Sequence, residues 1–352
     1  MTDITAKLSG TTTLVTGGAG FIGSHLCDRL MDYGAKVVCF DNLSSGNKYY
    51  LESKKGNAHF VFIQGDVNNL ADLGKVFLGH KIDYLMHYAA VVGVLRTMEQ
   101  PFGVLSDLEG IKHICSLSTA HGVKKIVYAS SSEIYGDQKE MPLHEDMSYY
   151  DTKHPYALVK ATAESYFKSF SQVSGIPVVS LRFFNVYGPR QESSDYGFVS
   201  GIFIAQVLRG LQPIIFRDGT QTRDFTYIND NVEAAIRALV NDNANGGIIN
   251  IGTGKETSIL ELAKKIIAIS GKKLEPSLMN TRTSYEVQRR VAHVGKMKDL
   301  LGFECTTSLD AGLGKTFEWY KSNPQLLLKD KDTSYKSYQE KIWVPKKKEN
   351  RG

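Results

Sequence analysis

Cysteine is scarce and scattered in this 352-residue chain: Cys27, Cys39, Cys115 and Cys305 show neither paired spacing nor a zinc-ligand pattern. That excludes a disulfide framework, leads us to expect no bound metal, and points to a reducing, cytoplasmic setting. Long hydrophobic runs are missing as well. Gly, Asp or Lys interrupts every apolar segment short of the length that spans a bilayer, and no cleavable leader is visible, so a soluble protein without membrane contact is expected. An excess of one charge is also absent from most of the chain. The formal charge is +5, but eight Lys or Arg against four acids place +4 of it within residues 329–352. The remainder is nearly neutral, which disfavours a nucleic-acid binder, and the terminal "KKKENRG" reads as a solvated tail. No internal repeat or low-complexity tract stands out.

What is present is an alternation. "TTLVTG", "AKVVCFDN", "HFVFIQGDV", "DYLMHYAA", "KKIVYASS" and "IPVVSLRFFNVYG" are apolar, β-rich runs, each separated by enough chain for a crossover helix. That rhythm predicts a parallel sheet covered on both faces. Beyond Asn185 the pattern loosens into a polar loop near Pro189 to Tyr196, with helices expected at Ser200 to Arg209 and Asn231 to Val240. "GIINIGTG" reads as a further buried strand, and Ser258 as the N-cap of a helix to Ile269.

The first strand runs into Gly17, Gly20 and Gly23, followed by a helix with Ile22, Leu26 and Leu30 on one face. A strand, tight turn and helix of this kind brings backbone N–H groups and a helix N-terminus against a pyrophosphate, where side chains would obstruct approach. The next strand ends in Asp41, whose carboxylate can accept hydrogen bonds from a ribose diol and would repel a 2′-phosphate. NAD rather than NADP is the expected cofactor.

Tyr156 and Lys160 in "HPYALVK" lie four residues apart on a helix that Pro155 would open, so their side chains share a face. A free phenol has a pKa of about 10, and use as a base near neutrality needs a drop of ~3 units. A nearby ammonium and an oxidised nicotinamide are charges that can supply it. Alone, Y-x-x-x-K is a common surface-helix pattern. Beside a glycine turn, Asp41 and the serine-bearing strand end "YASSSEIYG", it reads as a reacting pair.

Together these motifs resemble the extended short-chain dehydrogenase/reductase family, over roughly residues 11 to 320. The resemblance implies an α/β fold: a doubly wound parallel-sheet Rossmann domain with a smaller interleaved α/β substrate-binding domain. The expected division is 1–184, with 223–252 returning, for the dinucleotide, 185–222 and 253–330 for a nucleotide sugar, and 331–352 as a basic tail. Around the cofactor it implies Gly17, Gly20, Phe21, Ile22 and Gly23 in the turn, Asp41 and Asn42 after the second strand, and Asp66 and Val67 beside the adenine. Tyr88, Ala89 and Ala90 would lie beneath the cofactor, with Tyr156, Lys160 and Phe184 near its nicotinamide. Ser131 would hold the substrate oxygen that Tyr156 deprotonates. Asn185, Val199, Phe216, Arg223, Arg282 and Arg290 are the implied contacts to the sugar nucleotide, Arg223 as a fork on phosphate. A homodimer is also implied.

The family's common chemistry oxidises sugar C4 and reduces it again, with the cofactor recycled. The expectation is an NAD-dependent nucleotide-sugar 4-epimerase, acting on a UDP-sugar through a 4-keto intermediate. Glu133 leaves the branch open. Simple 4-epimerases need no further acid or base, whereas 4,6-dehydratases use a carboxylate at this position on the C5 proton. UDP-glucuronate decarboxylases have a similar Ser-Glu pair and an arginine near Arg290. Glu133 as a purely structural carboxylate is a further alternative, and so is a non-catalytic NAD-binding scaffold, against which intact Ser131, Tyr156 and Lys160 argue. Asp107 stands in "DLEG" where the family usually has Asn, and Val159 replaces the small hydroxyl residue common before the lysine.

Overall fold

The computed structural model describes residues 3–147, 154–194, 197–279 and 287–327. Along the chain the strands are β1 (Thr12–Thr16), β2 (Lys36–Asp41), β3 (Phe60–Gln64), β4 (Tyr84–His87), β5 (Lys125–Ser131) and β6 (Val178–Phe183). They continue as β7 (Asn185–Tyr187), β8 (Ile214–Phe216), β9 (Thr222–Arg223), β10 (Phe225–Tyr227), β11 (Ile248–Ile251), β12 (Thr257–Ser258) and β13 (Ser277–Met279). Seven of them form one parallel sheet in the order β11-β6-β5-β4-β1-β2-β3. Central strands are apolar almost throughout because helices cover both faces; all seven residues of β5 are buried. The order reverses between β4 and β1, and in such sheets the crevice beyond the strand ends at the reversal is where ligands bind.

Three helices bring chemistry to that crevice. Phe21–Asp32 buries Leu26, Cys27 and Leu30 against the sheet. Asp107–His121 ends on Gly122, whose left-handed backbone suits glycine. Pro155–Ser174 starts with proline at its first turn, where a missing N–H costs nothing, and ends on Gly175 with φ of 75°. The helices expected from Ser200 and Asn231 are Val199–Leu208 and Ile228–Val240. The second starts three residues early because Tyr227, extended at the end of β10, serves as its N-cap residue. Ser258 does cap its helix, accepting from the Glu261 N–H at 3.1 Å.

Beyond β6 the chain builds three small pairs: β10 with β7, β12 antiparallel with β9, and β13 with β8. Between β10 and β12 along the chain lies β11, which returns to the edge of the large sheet beside β6. A buried network fixes this edge. Arg182 on β6 forks onto Glu164 at 3.0 and 2.8 Å, and Ser130 on β5 donates to the same carboxylate at 2.5 Å. Arg182 also donates to the Tyr135 hydroxyl at 2.9 Å, which donates to Asn250 on β11 at 2.7 Å. Every charge in it is bonded, the condition under which a buried pair is tolerated.

Candidate active site

A cleft of about 530 Å³ opens at the C-terminal ends of β1, β2, β4 and β5. Its floor is the glycine turn. Gly17 has φ of +71°, and a Cβ there would lie 2.6 Å from the Ala89 nitrogen; one on Gly23 would lie 2.1 Å from the Gly17 carbonyl oxygen. Gly20 is the N-cap of helix Phe21–Asp32 and offers no capping side chain, so the first N–H groups of a twelve-residue helix keep their donors. Such a cradle fits a pyrophosphate.

Asp41, at the end of β2, is buried and accepts from the Ala19 N–H at 3.0 Å and the Leu43 N–H at 2.7 Å. Burial raises its carboxyl above the ordinary value, against the pull of those two N–H groups. Asn42 donates to Asp66 at 3.1 Å across the same end of the cleft. Phe21, Ile22, Val67, Tyr88, Ala89, Ala90, Phe184 and Asn185 line it too.

Ser131, the last residue of β5, accepts from the Glu133 N–H at 3.2 Å and hydrogen-bonds the Tyr156 phenol. The cap of the turn after β5 is therefore Ser131 itself, while Ser130 is committed to Glu164. Lys160 is buried, donates to the Ala129 carbonyl at 2.7 Å, and sits 4.8 Å from the Tyr128 ring centroid and 5.5 Å from that of Tyr156. Burial lowers its pKa to about 8, with Asp107 and Glu164 opposing. Burial pushes the Tyr156 phenol up, and Glu133 and Asp107 add to this while the Ser131 hydrogen bond counters it. The chain's own groups thus hold the phenol protonated, opposite to the shift a base requires.

Glu133 lines the cleft and is ion-paired with Arg290, which is itself buried. Burial would raise the Glu133 carboxyl, but Arg290, with help from Arg223 and His154, holds it below the usual range. Arg223 donates to the Thr222 carbonyl at 2.7 Å. Neither Arg223, Arg290, Val199 nor Phe216 forms the cleft wall; Arg290 reaches it through Glu133. Arg282 lies outside the described residues.

Several wall residues carry no motif. Asn47, Tyr50, Arg190 and Glu192 line the cleft, Arg190 holding Asp28 at 2.7 Å. Only the polar bias of the loop after Pro189 hinted at the last two. Asp107 also lines it, accepting from the Val91 N–H at 2.9 Å.

The sequence model described as the NAD dependent epimerase/dehydratase family matches residues 13–252. The chain belongs to this family. As a member of the NAD-dependent epimerase/dehydratase family it is an NAD-dependent enzyme of the extended short-chain dehydrogenase/reductase type, and the glycine cradle and Asp41 fit that cofactor. It is 34% identical over 324 residues to a UDP-N-acetyl-alpha-D-glucosaminuronate decarboxylase of Bacillus cytotoxicus, covering 88% of this chain and 97% of that one. A putative UDP-glucose 4-epimerase of Methanocaldococcus jannaschii is 36% identical over 313 residues, covering 88% and 98%. Among solved structures, the UDP-glucuronic acid 4-epimerase of Bacillus cereus, in complex with UDP-glucuronic acid and NAD, has a TM-score of 0.82 at 32% identity, covering 89% and 100%. Among the described residues of this family member, no helix is long and apolar enough to cross a membrane, and no cluster of His, Cys, Asp or Glu could hold a metal.

Proposed function

We propose that this protein interconverts the C4 epimers of a UDP-sugar through a transient 4-ketone. The observation carrying the reading is that Ser131, Tyr156 and Lys160 converge at the end of β5, in one cleft with the glycine cradle and Asp41. NAD, when bound, supplies the electron-pair acceptor and donor of a redox-neutral cycle, and a positive charge beside the phenol. Tyr156 takes the C4 hydroxyl proton and later gives it back, Ser131 holds the same oxygen, and Lys160 keeps a cation behind the phenol. Asn185 and Arg223 are the groups proposed for the diphosphate, Phe216 for the base, and Val199 for the sugar-nucleotide wall. The two-part division, 1–184 with 223–252 and 185–222 with 253–330, belongs to this reading.

Glu133 is ion-paired with Arg290 and held below the usual carboxylate range, which makes it a weak base for a C5 proton. Dehydration is therefore the least supported branch. The same pair favours a second reading, decarboxylation of a UDP-uronate: a 4-ketone stands β to the C6 carboxylate and lets it leave as carbon dioxide. Arg290 Nε is buried with no acceptor among the described residues, an unmet donor on the cation that holds Glu133. The relatives named for uronate substrates support this reading.

The test is mass spectrometry on UDP-, dTDP- and GDP-sugars, uronates included. Unchanged mass with inverted C4 is expected; loss of carbon dioxide from a UDP-uronate moves the assignment to the second reading, and loss of water refutes both.

The proposal extends to a homodimer. Phe102, Leu105, Leu158 and Tyr166 are exposed apolar side chains on helices Pro101–Leu105 and Pro155–Ser174, which pack on one another.

A further inference from the structure

We propose that Asp224 is the positioning residue that sets Arg290 on Glu133, by tying the β9–β10 junction, the turn after β11 and the Arg290 segment to one carboxylate. The inference rests on the reading in which a sugar reacts beside Ser131, since Glu133 follows Ser131 in the wall of the same cleft. Asp224 is fully buried. Its Oδ1 accepts from the Thr253 N–H at 2.8 Å and the Thr253 hydroxyl at 2.6 Å. Its Oδ2 accepts from the Gly254 N–H at 2.9 Å and the Ala292 N–H at 3.2 Å. Its main-chain carbonyl accepts from the Asn185 N–H at 3.0 Å. Desolvating a carboxylate is costly, and these donors are what offset it here.

Arg290 lies between two attachments to the β9–β10 stretch. On one side the Thr222 N–H donates to the Gln288 carbonyl at 2.9 Å, and on the other Asp224 holds Ala292. Leu143 grips the same segment: its N–H donates to the Val291 carbonyl at 2.8 Å, and its carbonyl accepts from the His293 N–H at 2.9 Å. Ala292 is therefore held by Asp224 while both its neighbours are held by Leu143, and Arg290, two residues back, ion-pairs with Glu133. The approach is close enough to require a glycine. A Cβ on Gly252 would lie 2.6 Å from the Ala292 Cβ and 2.7 Å from Asp224 Oδ2. Burial would raise the Glu133 carboxyl; Arg290 is the foremost cation opposing that, then Arg223 and His154. Arg223 is the residue before Asp224, so two of those three cations sit on stretches that Asp224 joins.

The experiment uses the full chain with NAD and with glutamate labelled at Cδ, the Glu133 signal being the one lost in Glu133→Gln. Arg290→Met sets the scale: losing the cation should raise the Glu133 titration midpoint by about one unit or more. Asp224→Ala removes both acceptors, and Gly252→Ala crowds the carboxylate away from Ala292. Each should raise the midpoint by at least half as much as Arg290→Met does, with NAD retained. Thr253→Val removes a donor from Oδ1, away from the Ala292 link, and should lower Tm while leaving the midpoint in place. An unmoved midpoint in either of the first two variants overturns the proposal, and so does an equal rise in Thr253→Val, which would mark general loosening. If neither Asp224→Ala nor Gly252→Ala folds, hydrogen exchange in the unaltered protein decides: the Ala292 N–H should be protected like those of the large sheet, and exchange at the rate of an open loop overturns the proposal. Absence of turnover on every nucleotide sugar would sink the functional reading and leave the Glu133 titration to judge this one.

Discussion

At the residue scale, the group proposed to react is the Tyr156 phenol, which its surroundings keep protonated. Tyr156→Phe should lower kcat by about 10²- to 10⁴-fold, the usual worth of a positioned acid-base group, while NAD stays bound; cofactor release with denaturant would show retention. A second consequence concerns His87, whose Nδ1 lies 2.7 Å from the Thr16 hydroxyl beneath the cleft. Burial and the Lys160 charge lower its pKa to about 3 from the ordinary 6.5. Because the folded value is depressed, the unfolded chain takes up the proton first as pH falls. Stability from the neutral ring is present above pH 6.5 and is lost between there and about 3. His87→Gln should flatten the decline in urea midpoint between neutral and acid pH, leaving the part due to His25, which burial takes to about 4. Local spacing puts Tyr156 and Lys160 on one helix face, whereas Ser131 is picked out of the strand-end serines only by the family resemblance. Glu133 with Arg290 is 157 residues apart, and the partnership depends on a fold that periodicity does not encode.

At the scale of elements, the glycine turn and the β5–β6 edge divide the labour. A Cβ on Gly23 would collide with backbone, which cannot yield as a flexible side chain could. Gly23→Ala is expected to weaken NAD binding and lower Tm together, as calorimetry and thermal melts would report. Arg182→Met instead leaves Glu164 buried without its cation, and such a break costs about 3–5 kcal/mol; urea unfolding would measure it. The alternation of apolar runs revealed all of the large sheet's strands, because both its faces are covered. The short strands β8, β9, β10, β12 and β13 escaped, being too short to show a period, while β7 lay inside the run read together with β6.

For the whole molecule, the exposed apolar set around Phe102 makes self-association testable. Light scattering should give the mass of two chains, and Phe102→Asp combined with Leu158→Asp should give one. Residues 328–352, which carry most of the net charge, lie outside the described residues. The order of the large sheet has a last implication for anyone dissecting this protein. Because β11 closes the flank of β6, and Asn250 anchors Tyr135, a gene fragment stopping at residue 184 would leave that flank bare and its backbone donors and acceptors open to other chains. Such a fragment should precipitate on expression, so the cofactor-binding half is not a portable module that can be cut free by a single stop codon.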